Sequence, residues 1–162
     1  MRSITFIRHA HASGGTFSKA DFDRPLSQLG IDEANLMGNI LVEKQINFDQ
    51  IISSSANRAI STAKIIKKQI SFTDKIIPKK NIYGASSADL IYLIEDLDDN
   101  INSVALVGHN PTFHLISEQL SGKQFSKYPT CSIAKINFDI ESWMMLSAGK
   151  LEYFLFTELY KS

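Results

Sequence analysis

Val104-Ala105-Leu106-Val107, four apolar residues in a row, constrain the fold of this chain more than any other feature. Strand side chains alternate between the two faces of a sheet, so an unbroken apolar run reads as a strand covered on both sides. We expect that strand over residues 102–107. A strand buried twice over needs helices above and below it, as in a parallel α/β sheet. Gly108-His109-Asn110-Pro111 follows at once, and Asn110-Pro111 reads as an N-cap with proline at the first helical position. The helix is then expected to reach about Leu120 and stop at Gly122.

The rest of the chain supplies the missing layers. Residues 4–7 form a short β-rich run, and the polar, glycine-containing stretch 9–27 reads as a loop. Ser27 is placed to cap a helix over about 28–45, with Ala34, Met37 and Leu41 on one face. A strand is expected at 49–53 and a helix at 56–70, where Ala59, Ala63, Ile66 and Ile70 share a stripe. Lys64, Lys67 and Lys68 lie mostly off that stripe, on a solvated face. Residues 75–78 give a third short strand. Ser86 and Asp89 form a capping-box pattern ahead of Leu90, Leu93, Ile94 and Leu97. Ile136, Phe138 and Ile140 alternate with polar residues, and 151–157 is a second such stretch, reached through Ser147-Ala148-Gly149. The expected architecture is a three-layer α/β/α sandwich. Its central sheet is mostly parallel with an antiparallel C-terminal edge, formed by one domain over 1–162.

Composition narrows the function. Lys and Arg number 17 and Asp and Glu 17, so the formal charge is zero. A sequence-independent grip on nucleic acid needs a basic excess that this chain lacks. Cys131 is the only cysteine, which excludes an intramolecular disulfide framework. The apolar start at 4–7 is cut short by Arg8, so no signal peptide is read, and no window is long enough to span a membrane. A cytoplasmic protein is expected.

Chemistry collects where strands end. In open α/β sheets ligands bind beyond the carboxyl ends of the strands. Arg8-His9-Ala10-His11 follows the first strand, Ser53-Ser54-Ser55 with Arg58 the second, and Gly108-His109-Asn110-Pro111 the fourth. Arginine offers a planar fork of donors that matches phosphate oxygens, and helix starts at Ser55 and Asn110 would add oriented N–H groups. A neutral histidine can attack phosphorus. Each piece alone reads equally well as ordinary structure: a strand-end histidine, a strand–turn–helix junction, a solvated arginine. Their conjunction is specific.

Ile4-Thr5-Phe6-Ile7-Arg8-His9-Ala10 resembles the opening strand and Arg-His motif of the histidine phosphatase superfamily, whose fold is phosphoglycerate-mutase-like. Asp23-Arg24-Pro25-Leu26-Ser27 with Gly30 is similar to a segment of its short bacterial branch, the SixA-type phosphohistidine phosphatases. The stretch from Ser53 to Ala63 resembles the second-arginine motif, and Gly108-His109-Asn110-Pro111 the second-histidine motif. The resemblance implies His9 as nucleophile, Arg8, Arg24 and Arg58 as phosphate ligands, and His109 as a donor to the developing charge. It implies no metal and no organic cofactor. The implied partner is a phosphohistidine-containing protein or a small phosphorylated substrate, with neither nucleic acid nor membrane.

Two departures stand out. Serine replaces the usual proline at Ser55 and can still cap the helix. Gly84 stands where short relatives often show a glutamate, so the leaving-group acid is missing, which favours N–P over O–P substrates. His11 reads as an accessory proton donor or substrate contact, or equally as an exposed loop histidine. His114 reads as structural. Other answers remain: a phosphatase of a small metabolite, a binding module with weak catalysis, a mutase, or a metal hydrolase using His9, His11 and His109. The arginines would repel a cation, which weighs against the last.

Overall fold

The computed structural model describes residues 1–14 and 20–161. Its sheet has six strands: β1 (Arg2–Arg8), β2 (Gln50–Ser54), β3 (Ile77–Lys79), β4 (Ser103–Gly108), β5 (Ile133–Phe138) and β6 (Lys150–Leu155). They lie in the order β3-β2-β4-β1-β5-β6. The first four run parallel, while β5 pairs antiparallel with β1, and β6 antiparallel with β5. The helices are α1 (Gln28–Glu43), α2 (Asn57–Gln69), α3 (Ser87–Glu95) and α4 (Thr112–Ser121).

Strand β4 sits third in this sheet, and its apolar run divides as a twice-covered strand must. Ala105 and Val107 join Met37 and Leu41 of α1 and Ala63 and Ile66 of α2. Val104 and Leu106 join Leu90 and Ile94 of α3 and Phe113 and Ile116 of α4. Each fully buried Val or Leu contributes about 1.5–3 kcal/mol. Helices therefore cover both faces, and the mixed sheet with its antiparallel edge is the α/β/α arrangement the sequence implies. Among the described residues no helix is long and apolar enough to cross a membrane.

Several local expectations shift. The second strand begins at Gln50, and Asp49 ties its start to β4: its N–H donates to the Ser103 carbonyl at 2.8 Å and its carboxylate accepts the N–H groups of Asn102 and Ser103 at 2.9 and 3.0 Å. The third is Ile77–Lys79, the edge strand, where Pro78 is tolerated. Helix α1 ends at Glu43, since Gln45 adopts φ 57°. Ser55 does not cap α2. The N-cap is Ala56, without a side-chain bond, and its N–H donates to Ser54 Oγ at 3.2 Å. Asn110 is not a cap either. Pro111 is the N-cap of α4, and Asn110 Nδ2 is drawn away to the Tyr128 carbonyl at 2.9 Å.

The caps at Ser27 and Ser86 form as expected. Ser27 Oγ accepts from Gly30 N–H, and Ser86 and Asp89 make a reciprocal capping box. The loop before α1 contains a 3-10 turn over Asp21–Asp23 and an isolated bridge between Ala12 and Leu26. The part of the expected loop at 15–19 lies outside the described residues, as does residue 162.

Gly30 shows how tightly that loop is seated. A methyl group at Gly30 would overlap the carbonyl oxygen of His11, a backbone atom that cannot swing away. Gly30→Ala is expected to lower the unfolding free energy by about 1–3 kcal/mol or more, read as a drop in the urea midpoint at unchanged slope.

Candidate active site

The pairing of β1 with β4 sets Arg8 opposite Gly108, so the residues that follow, His9 and His109, leave adjacent strands side by side. His9 N–H donates to the Gly108 carbonyl at 2.9 Å, and the two imidazole centroids are 5.2 Å apart. From the other side, Cys131 N–H donates to the His9 carbonyl at 3.0 Å.

The hydrogen bonds around His9 fix its tautomer. Nδ1 lies 2.7 Å from the Ala10 carbonyl oxygen, which can only accept, so Nδ1 carries the proton. The lone pair is then on Nε2, where Arg58 Nε donates to it at 3.3 Å. Arg58 is the second residue of α2, and Thr62 lies one turn further on the same face. Thr62 Oγ1 accepts from Ala10 N–H at 2.9 Å and donates to the Arg58 carbonyl at 2.7 Å. One face of α2 thus holds both the ring of His9 and the backbone beside it.

His109 is arranged in a complementary way. Its Nε2 lies 2.8 Å from Ser54 Oγ. That oxygen accepts from Ala56 N–H, and its own O–H has no other acceptor among the described residues, so it donates to Nε2 and the His109 proton sits on Nδ1. Nδ1 is buried and has no partner among the described residues. Arg8 is similar: one guanidinium nitrogen donates to the Tyr128 carbonyl at 2.9 Å, while its buried Nε has no partner. Unpaired buried donors cost about 1–3 kcal/mol each, so these two call for an acceptor.

Electrostatics keep both imidazoles neutral. Burial, then the charges of Arg58, Arg8 and Arg24, push His9 down to about 4, against an opposing bond to Ala10. Burial, His9 and Arg58 push His109 down to about 3. One carboxylate meets this cationic group. Asp21, in the turn before α1, binds Arg58 Nη2 at 3.1 Å, Arg24 Nη1 at 3.0 Å and the Tyr83 hydroxyl at 2.6 Å. The Tyr83 hydroxyl, followed by Arg24 and Arg58, holds the Asp21 carboxyl well below the usual carboxylate range. Tyr83 packs edge-on against His109 and Phe22 at centroid distances of 5.4 and 5.1 Å.

The sequence-predicted residues separate into two groups. His9, His109 and Arg58 meet, with Arg8 beside them. Arg24 reaches the group through Asp21, and its Nε donates to the Ser13 carbonyl at 2.9 Å. His11 does not join. It is exposed, its Nδ1 lies 2.7 Å from Ser27 Oγ, and its backbone N–H donates to Glu33 at 2.8 Å. It belongs to the brace that seats the loop on α1, β1 having ended at Arg8. His114 is structural, 2.9 Å from the Phe125 carbonyl and stacked on Tyr128. Among the described residues no three His, Cys, Asp or Glu side chains gather as metal ligands.

Sequence reasoning missed Asp21, Tyr83, Ser54 as the partner of His109, and the Tyr128 carbonyl. A carboxylate three residues before Arg24 was a usable signal for Asp21; a backbone carbonyl leaves none. Beside His109 opens a cleft of about 410 Å³ lined by Arg58, Tyr83, Gly84, Pro111 and Phe113. A larger groove of about 840 Å³, between β3 and α3, contains none of these site residues.

A family model described as the histidine phosphatase superfamily (branch 1) matches residues 4–81. An uncharacterized Mycobacterium tuberculosis protein, MT1313, is 31% identical over 128 residues, 71% of this chain and 77% of its own length. The chain belongs to the histidine phosphatase superfamily. Its activity class within that superfamily is phosphatase. The phosphohistidine phosphatase SixA of Escherichia coli is 24% identical over 84% of this chain and 85% of its own. A solved structure from Agrobacterium tumefaciens, described as a candidate phosphohistidine phosphatase SixA, superposes with a TM-score of 0.82. It is 27% identical and covers 95% of this chain and 97% of its own. A SixA protein histidine phosphatase complexed with tungstate superposes at 0.80 with 22% identity, covering 98% and 99%, which shows a shared fold.

The depressed histidines of this superfamily member make its stability depend on pH. An unfolded histidine takes up a proton near 6.5, whereas folded His9 and His109 resist until about 4 and about 3. Below about 6.5 the unfolded state binds more protons, so folding stability falls as pH falls. The melting temperature is expected to drop between pH 6.5 and 4. His9→Gln and His109→Gln should each flatten that slope.

Proposed function

We propose that the protein removes phosphate from phosphohistidine in a protein, without a metal, through a covalent phosphohistidine on His9. The observation that carries this reading is the lone pair on His9 Nε2, left unprotonated by the Nδ1–Ala10 bond and met by the Arg58 Nε–H at 3.3 Å. A neutral imidazole is the nucleophilic form, and His9 is neutral throughout the physiological range. Phosphoryl transfer depends mainly on positioning and charge stabilisation. The unpaired donors of Arg8 Nε and His109 Nδ1, with the remaining N–H groups of Arg58, would take the phosphoryl oxygens. Arg24 would act through Asp21 rather than on phosphate directly. Water then cleaves the phosphoenzyme.

Three features support a phosphohistidine substrate. Gly84 leaves no acid at that position for an alkoxide, whereas a phosphoramidate departs more readily. The segment 80–86 between β3 and α3 is too short to roof the site, which suits a protein surface. The similar SixA protein of Escherichia coli is a phosphohistidine phosphatase. The single cysteine fits a reducing compartment, the cytoplasm, with residues 1–162 acting as one domain. The cleft beside His109 favours a second reading, a small phosphorylated metabolite, since its about 410 Å³ falls within the range of small-molecule sites.

The test is turnover of a histidine-phosphorylated protein, phosphoramidate and sugar phosphates by wild type, His9→Ala and Arg58→Ala. His9→Ala should be inactive, and Arg58→Ala should lose about 10²–10³-fold in kcat, as when an oxyanion donor is removed. A chelator should change nothing. Activity that survives loss of His9, or that is lost to a chelator and restored by zinc, would overturn the mechanism.

A further inference from the structure

The carboxylate absent at Gly84 has a counterpart supplied by another loop, Asp21. A Cβ at Gly84 would meet nothing within 4 Å, so the space an acid would use from that side is open. Asp21 reaches the adjacent residue from the other direction, through its 2.6 Å bond from the Tyr83 hydroxyl. Arg58 links the two ends of the site: its Nε donates to His9 Nε2 while its Nη2 donates to Asp21 Oδ2. Nucleophile and carboxylate therefore sit on different N–H groups of one guanidinium. A phosphoryl group gripped by Arg58 would have His9 on one side and Asp21 towards the other. The Asp21 side chain is half exposed, and Oδ1 has only Arg24 as a partner among the described residues. A carboxylate oxygen accepts more than one hydrogen bond, so Oδ1 has capacity left.

We propose that Asp21 determines substrate specificity: its carboxylate supplies a counter-charge to a protonated imidazole leaving group and so selects phosphohistidine over phosphate esters. This inference rests on the phosphohistidine reading above. The groups facing Asp21 are Arg24 from its own loop, Arg58 from α2, and Tyr83 from the segment after β3, with His109 behind Tyr83. Together they keep Asp21 ionised, which suits it to attract a cation and not to donate a proton. The chemistry then needs no acid. The His9 Nε2 lone pair forms the new bond to phosphorus. The P–N bond to the substrate ring breaks, and its electron pair stays on that nitrogen. The ring already carries a proton on its other nitrogen, so it leaves as neutral imidazole with no proton transferred. An alkoxide has no second nitrogen to hold a charge, so an ester gains nothing from Asp21.

The experiment compares wild type, Asp21→Asn and Asp21→Glu on N-phosphoimidazole and on p-nitrophenyl phosphate, across pH 5.5–9. Asp21→Asn should lose at least tenfold more kcat/KM on phosphoimidazole than on the ester, and Asp21→Glu should recover part of that difference. The advantage of wild type over Asp21→Asn should shrink as pH rises past the range where an imidazole holds its second proton, ordinarily near ~6.5. A merely structural role, acting through Arg58, would depress both substrates alike at every pH and would overturn the inference. So would a loss confined to the ester, the mark of a general acid. Wild type that turns over the ester but not phosphoimidazole would instead overturn the phosphohistidine reading, and this inference with it.

Discussion

The parallel register between β1 and β4 is the constraint on which the site depends. It puts Arg8 level with Gly108, and from that one alignment His9 and His109 emerge together. The register is in turn fixed by burial. A slip of one residue would turn Val104 and Leu106 towards α1 and α2 and strand Ala105 and Val107 against the larger side chains of α3 and α4. Core packing thus sets the placement of two imidazoles that belong to neither apolar cluster.

The same burial that aligns the histidines also keeps them neutral. Like charge from three guanidinium groups disfavours a protonated imidazole, an effect that water would screen. Here desolvation acts in the same direction and exceeds the charge effect. The chain is electrically balanced overall, yet Arg8, Arg24 and Arg58 all act on His9, and two of them, Arg24 and Arg58, share one carboxylate, Asp21. Net charge averages over the whole surface and says nothing about a pocket sized for one anion.

Much of this was legible in the sequence, for identifiable reasons. The Val104–Val107 run, the Ser86–Asp89 box and the stop at Gly122 each depend on a local rule, and each holds. Ser55 and Asn110 failed as caps for different reasons: Ala56 N–H turns locally to Ser54, while a distant partner, the Tyr128 carbonyl, takes Asn110. At the site, His9, His109 and Arg58 were readable because they sit at strand exits or one turn beyond. Asp21 and Tyr83 were not, since they meet across 62 positions of chain and neither stands at the end of a long element. His11 lies beyond β1, which ends at Arg8, and of its two readings the exposed loop histidine matches its placement.

Cys131 gives the site a further property. Its backbone N–H bonds the His9 carbonyl, yet its thiol is wholly buried and burial holds it firmly protonated. Thiolates, not thiols, react with peroxide. The chain's only sulfhydryl therefore sits next to the pocket in its unreactive form, and the groups gathered there are imidazoles and guanidiniums. Burial thus keeps the one thiol beside His9 as a packing group, shielded from the oxidants that attack an exposed thiolate.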